Sequence, residues 1–152
     1  MELFIKYPGI NSVMKAIKLQ ILHSIGYADE NFSGYNTPID LFTALRERLT
    51  YIDDPKGIEY IPTLKTLLEK NNGCGDCDCF TVAGAACLFV NNFDGVVILA
   101  GNTLTAPTHV YNGIETSPGK YMAFDLTESF YGSERKYKYK QVLRVDNIPI
   151  KI

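Results

Sequence analysis

The sequence predicts an α+β domain in which helices, one of them central and buried, pack on an antiparallel β-sheet. Three observations carry this. Apolar residues recur at helical spacing early in the chain, at Val13, Ile17, Ile21 and Ile25 and again at Ile39, Phe42, Leu45 and Leu49. The run from Asp76 to about Val90 is small and apolar nearly all round, as a buried helix is. Beyond it the period changes: Val96-Val97-Ile98-Leu99-Ala100 is a continuous apolar run suited to a central strand, and shorter strand-like segments follow. Helices first and strands afterwards is the α+β order, and 152 residues make one domain.

Leu3 to Tyr7 alternates as a strand does and stops at the turn signal Pro8-Gly9. A helix follows, with Asn11 or Ser12 to cap its free N–H groups and Gly26 to end it. Ala28 to Asn36 is polar. Thr37-Pro38 then opens a second helix, whose apolar face is Ile39, Phe42, Leu45 and Leu49 and whose wet side carries Arg46, Glu47 and Arg48. Asp53-Asp54-Pro55-Lys56-Gly57 is a turn cluster, Glu59-Tyr60-Ile61 a short extended piece, and Pro62 to Lys70 a brief helix. His109 to Glu115, Tyr121 to Thr127 and Tyr137 to Val145 are further strands separated by turn residues.

Composition narrows the function classes. With 46% hydrophobic and 21% charged residues the chain is an ordinary soluble globule. A net charge of -2 and a pI near 5.7 make no field for a polyanion, so nucleic acid is not an expected partner. The stretch from Arg135 to Lys140 alternates cations with tyrosines, the pattern of a solvated edge strand guarded by charge, and no function is assigned to it. No apolar run reaches membrane-spanning length, and the start lacks the regions of a signal peptide. The expectation is a protein that acts in the cytoplasm, or in a virion assembled there.

Four cysteines crowd between positions 74 and 87, unlike a secreted disulfide framework, so reduced thiols are expected. Gly73-Cys74-Gly75-Asp76 runs straight into the buried helix and sets Cys77 in its first turn, with Asp76 as N-cap. The partial positive charge there favours thiolate, and the free N–H groups can hold an oxyanion. Cys79 points roughly 200° away round the helix and, like Cys87, reads as a small core residue. Cys74 and Cys77 also have redox or metal-knuckle spacing, and a zinc site would draw on Cys74, Cys77 and Cys79, but the second ligand pair that closes such a site is missing.

Of the two histidines, His23 lies inside the first helix and reads as structural. His109 opens a strand beside a loop, where an imidazole can meet a thiol and solvent. A hairpin centred on Ser117 places His109 directly across from Asp125, so that the odd-numbered residues, Tyr111, Tyr121 and Ala123 among them, share one face. Val110, Ile114, Met122, Phe124 and Leu126 form the opposite, apolar face. A carboxylate across from an imidazole can hold its tautomer, the third role in a triad. Tyr111 and Tyr121 would line an aromatic groove or simply be strand tyrosines.

Gly75-Asp76-Cys77-Asp78 before a small-residue helix, His109-Val110-Tyr111 at a strand start, and Ala123-Phe124-Asp125-Leu126-Thr127 resemble the core of transglutaminase-like cysteine enzymes of the papain-like superfamily. The compact versions encoded by bacteriophages and prophages resemble it most, including the stretch from Tyr51 to Pro62. The resemblance covers roughly residues 50 to 130. It implies a Cys77-His109-Asp125 triad acting on protein or peptide amides as a peptidase, amidase or transglutaminase, without a cofactor. The chain departs from the family pattern at Cys79, where an acidic residue is common, and in having no tryptophan. The second oxyanion donor is therefore unassigned, with Asn72, Tyr60 and Gln20 as candidates. Two other classes stay open: a silent binding or structural module of a phage particle, and a small zinc protein.

Overall fold

The change of period in the sequence is the boundary between two layers. A computed structural model describes residues 2–6, 10–103 and 105–147; the Pro8-Gly9 turn lies outside the described residues. The elements are β1 (Glu2–Lys6), α1 (Ile10–Phe32), α2 (Pro38–Arg46), β2 (Thr50–Tyr51), β3 (Ile58–Pro62), α3 (Leu64–Glu69), β4 (Cys74–Gly75), α4 (Cys77–Val90), β5 (Gly95–Gly101), β6 (His109–Ser117), β7 (Lys120–Phe124) and β8 (Tyr139–Leu143). The main sheet is antiparallel, in the order β7-β6-β5-β8, with the apolar run as one of its two inner strands; β8, at the edge, takes only Tyr139 and Lys140 from the basic stretch, whose residues 135 to 138 precede it outside any strand. Two small ladders sit outside it: β1 with β3, antiparallel, and β2 with β4, parallel. The chain is thus a mixed α+β fold, and among the described residues no helix is long and apolar enough to cross a membrane.

α4 is the hub. Eleven of its residues, from Asp78 to Leu88, are buried, because α1 covers one side and the sheet another. It lies so close to β6 that a Cβ on Gly84 would overlap the Asn112 amide, which itself donates to Thr81 O at 3.2 Å. Val82 and Ala85 meet Ile17 and Ile21 of α1 and Val97 and Val110 of the sheet, while Phe80, Ala83 and Leu88 meet Leu41, Leu45, Phe124 and Leu126.

Three local expectations change. α1 runs past Gly26 to Phe32, because Ala28 and Phe32 bury themselves in the core and this outweighs the roughly 1 kcal/mol that a helical glycine costs. Asn11 and Ser12 accordingly lie inside its first turn and do not cap it. In α2, with Thr37 as N-cap, Leu41 takes the buried place and Ile39 is left exposed; Arg46 is half-buried and donates to Leu126 O at 3.2 Å. Met122 keeps its place opposite Ile114 but is exposed at the β7 edge instead of buried.

Candidate active site

Asp76 has an extended backbone, and its Oδ1 accepts from the backbone N–H of Asp78 at 3.1 Å and of Cys79 at 3.4 Å. The cap starts α4 at Cys77, as the sequence spacing requires. Burial, the Asp76 carboxylate and Asp125 push the Cys77 thiol up to about 11, against the backbone N–H groups of Val110 and Asp78 that favour its thiolate. The expected lowering by the helix N-terminus is overruled here: two nearby carboxylates and a low-dielectric setting outweigh one helix end. The resting group is a thiol, and its proton needs an acceptor.

His109 lines the same cavity as Cys77. Its Nε2 bonds Asp125 Oδ2 at 2.8 Å, and Asp125 is almost fully buried. The carboxylate accepts from Nε2–H, which leaves Nδ1 as the basic nitrogen of the neutral ring. Asp125 Oδ1 is held in turn by the Thr127 N–H at 3.0 Å and the Thr127 hydroxyl at 2.7 Å. The hairpin pairing differs by two residues from the sequence reading. Asn112 pairs with Phe124 and Gly113 with Ala123, and a bulge falls between Glu115 and Ser117, so the hairpin is centred on Pro118. Asp125 therefore reaches His109 on the diagonal, with parity preserved.

The His109 ring forms a three-ring cluster with two tyrosines, 5.1 Å from Tyr111 and 6.0 Å from Tyr137 by centroid, the tyrosine rings themselves lying 6.3 Å apart. Tyr111 and Tyr121 do not form a groove wall of free phenols; both hydroxyls donate to Glu134 Oε2 at 2.6 Å. Lys140 pairs with the other oxygen of Glu134 at 3.2 Å, so this charge network fastens the segment after β7 over the sheet.

Cys77, His109, Asp78 and Glu59 line one cavity of about 540 Å³, floored by Val13, Met14, Leu99 and Val110. A second, of about 390 Å³, shares Thr108 and His109 and adds Tyr51, Asn102, Thr127, Arg135, Lys136 and Tyr137. The basic stretch to which the sequence assigned no function thus contributes a wall of the site. Its strand-like alternation gave no signal of this, since contact with His109 depends on the loop before β8.

None of the three oxyanion candidates lines the Cys77 cavity. Gln20 is fully buried and donates to Ile61 O at 2.9 Å, the Tyr60 hydroxyl accepts from Asn71, and Asn72 sits exposed in a turn. Cys79 and Cys87 are core residues, as read, and Cys79 Sγ lies 3.4 Å from Tyr60 O. Cys74, Cys77 and Cys79 do not gather as ligands. Among the described residues the one such group within 4.8 Å is Asp54, Glu59 and Asp76. Burial, together with Asp76 and Asp78, pushes Asp54 up to about 7, against a hydrogen bond from the Tyr60 N–H, and burial pushes Asp78 up to about 6 against the pull of His109. Raised carboxylates favour folding below their unfolded pKa, and this contribution is lost as pH rises through 6 to 7. The thermal midpoint is therefore expected to rise when pH falls from 8 to 5, and Asp54→Asn should flatten that dependence in a calorimetric pH series.

Compared with family models, with curated proteins and with solved structures, the chain has no significant match.

Proposed function

We propose that this protein is a thiol-dependent acyl-transfer enzyme acting on amide bonds, a cysteine peptidase or amidase with Cys77, His109 and Asp125 as its triad. The observation that carries the reading is the 2.8 Å contact between His109 Nε2 and the buried Asp125, on the wall of a cavity that Cys77 also lines. His109 Nδ1 takes the thiol proton as Cys77 Sγ attacks the carbonyl carbon. The tetrahedral oxyanion collapses, the C–N bond breaks, and the Nδ1 proton passes to the leaving amine. Water then attacks the thioester, giving a proton to Nδ1; the C–S bond breaks, the acid leaves, and Nδ1 passes the proton to Cys77 Sγ to restore the thiol, whereas an amine in place of water would make the enzyme a transglutaminase. The sequence resemblance extends the proposal to a papain-like, transglutaminase-like core, a protein or peptide substrate, and a phage or prophage setting in the cytoplasm or a virion.

A second reading, a catalytically silent module of the same fold, is favoured by one observation, the Cys77 thiol pushed up to about 11. Alkylation separates them. In the enzyme, iodoacetamide labels Cys77 near neutral pH faster than Cys74, and His109→Ala slows that labelling. A Cys77 that is alkylated only as pH climbs towards 11, equally fast in His109→Ala, belongs to the silent module.

A further inference from the structure

We infer that Asp78, with Glu59 beside it in the cavity, is a specificity site for a basic side chain of the substrate, a primary ammonium or guanidinium next to the amide presented to Cys77. The inference deepens the proposed function and rests on it for the position of that amide.

Asp78 is an unusual residue for its place. It lies in the first turn of α4, yet it is only 6% exposed, and it lines the Cys77 cavity. Among the described residues no hydrogen bond or ion pair reaches its carboxylate; burial, the charge of His109 and the neighbouring Asp54 carboxyl act on it, and its oxygens are not sealed from solvent. A buried carboxylate without a donor is costly and is ordinarily paired. It is not needed as the helix cap, because Asp76 fills that role, nor as the partner of His109, because Asp125 does. Its open side is the cavity, and Glu59 adds a second carboxylate to the same wall. Val13, Met14 and Leu99 offer apolar surface in the same space, which suits the alkyl stem of lysine or arginine better than a small inorganic cation. The cations that line the neighbouring cavity, Arg135 and Lys136, are absent from this one, and Arg135 is already engaged with Glu128 at 3.6 Å. The two cavities therefore differ in charge on either side of His109.

The test is a binding measurement that needs no chemistry at Cys77. Fluorescent, acetylated alanine hexapeptide amides, with one lysine walked through the six positions, are titrated against Cys77→Ala protein alongside their norleucine and glutamate counterparts. At one position lysine should bind at least about tenfold tighter than norleucine, with glutamate weakest, and the lysine-to-norleucine ratio should fall towards one in Asp78→Asn. Equal affinities for lysine and norleucine at every position, or no saturable binding of any peptide, overturn the inference. So does a lysine preference that survives in a folded Asp78→Asn protein. Should that variant not fold, Glu59→Gln is measured instead and must lower the ratio. Iodoacetamide labelling of the wild type separately tests the proposed function: selective binding without a reactive Cys77 leaves the cation site standing and removes the enzyme, and a reactive Cys77 without selectivity does the reverse.

Discussion

Incubation with p-nitrophenyl acetate is expected to acetylate Cys77 alone among the four cysteines, seen as a single added acetyl group in the intact mass and located by peptide mapping. Cys77→Ala should abolish the adduct. His109→Ala should slow its formation by about 10²-fold to 10⁴-fold, the usual contribution of a positioned general base. The effect is large because the thiol rests protonated, pushed up to about 11, so hardly any thiolate exists at neutral pH unless the imidazole takes the proton during attack. Asp125→Asn is expected to slow acylation less than His109→Ala. An asparagine amide turned towards Nε2 favours the wrong tautomer, whereas its carbonyl can still accept from Nε2–H. The Thr127 hydroxyl, now bound to the carboxylate at 2.7 Å, limits which way the amide turns. Acetylation of Cys74 at the same rate as Cys77, or an unchanged rate in His109→Ala, would remove the triad.

Gly73→Ala is expected to lower folding stability by about 3 kcal/mol or more, read as a fall in the urea midpoint with little change in slope. Two costs add. Gly73 has φ 79°, in the left-handed region, and a Cβ there would run into the carbonyl of Arg48. That backbone cannot yield cheaply: Gly73 N–H donates to Leu67 O at 2.7 Å, and Gly73 O accepts from Thr50 N–H at 2.9 Å. The same strand pair aligns Tyr51 with Gly75, two residues before Cys77, so any protein that still folds should also acylate more slowly. Gly119, equally left-handed at φ 77° but with open space around it, is the control; Gly119→Ala should cost only about 1 kcal/mol.

Much of the site was legible because its parts are local. Asp76 before Cys77 is an N-cap by residue type, the small apolar run behind it can only be buried, and strand parity puts His109 and Asp125 on one face whether the hairpin is centred on Ser117 or Pro118. The two-residue shift arises from the tight turn at Pro118-Gly119, with the bulge before Ser117 restoring the parity, and alternation reveals neither. The end of α1 is hidden from the sequence for a related reason. Gly26 looks like a stop until Ala28 and Phe32 are seen to have a core waiting for them.

By itself the sequence determined the α+β order, the inner apolar strand, the position of Cys77 at a helix start and the residue types of the triad. These follow from periodicity and capping, which act within a few residues along the chain. Only the tertiary structure decided the thiol's resting state, the stacking of Tyr137 on His109, the engagement of Gln20 and Tyr60 away from the site, and the unpaired burial of Asp78. Each of these depends on which distant groups share a low-dielectric space. A carboxylate's cost or use there is set by neighbours brought in from other elements, not by its own place in the sequence.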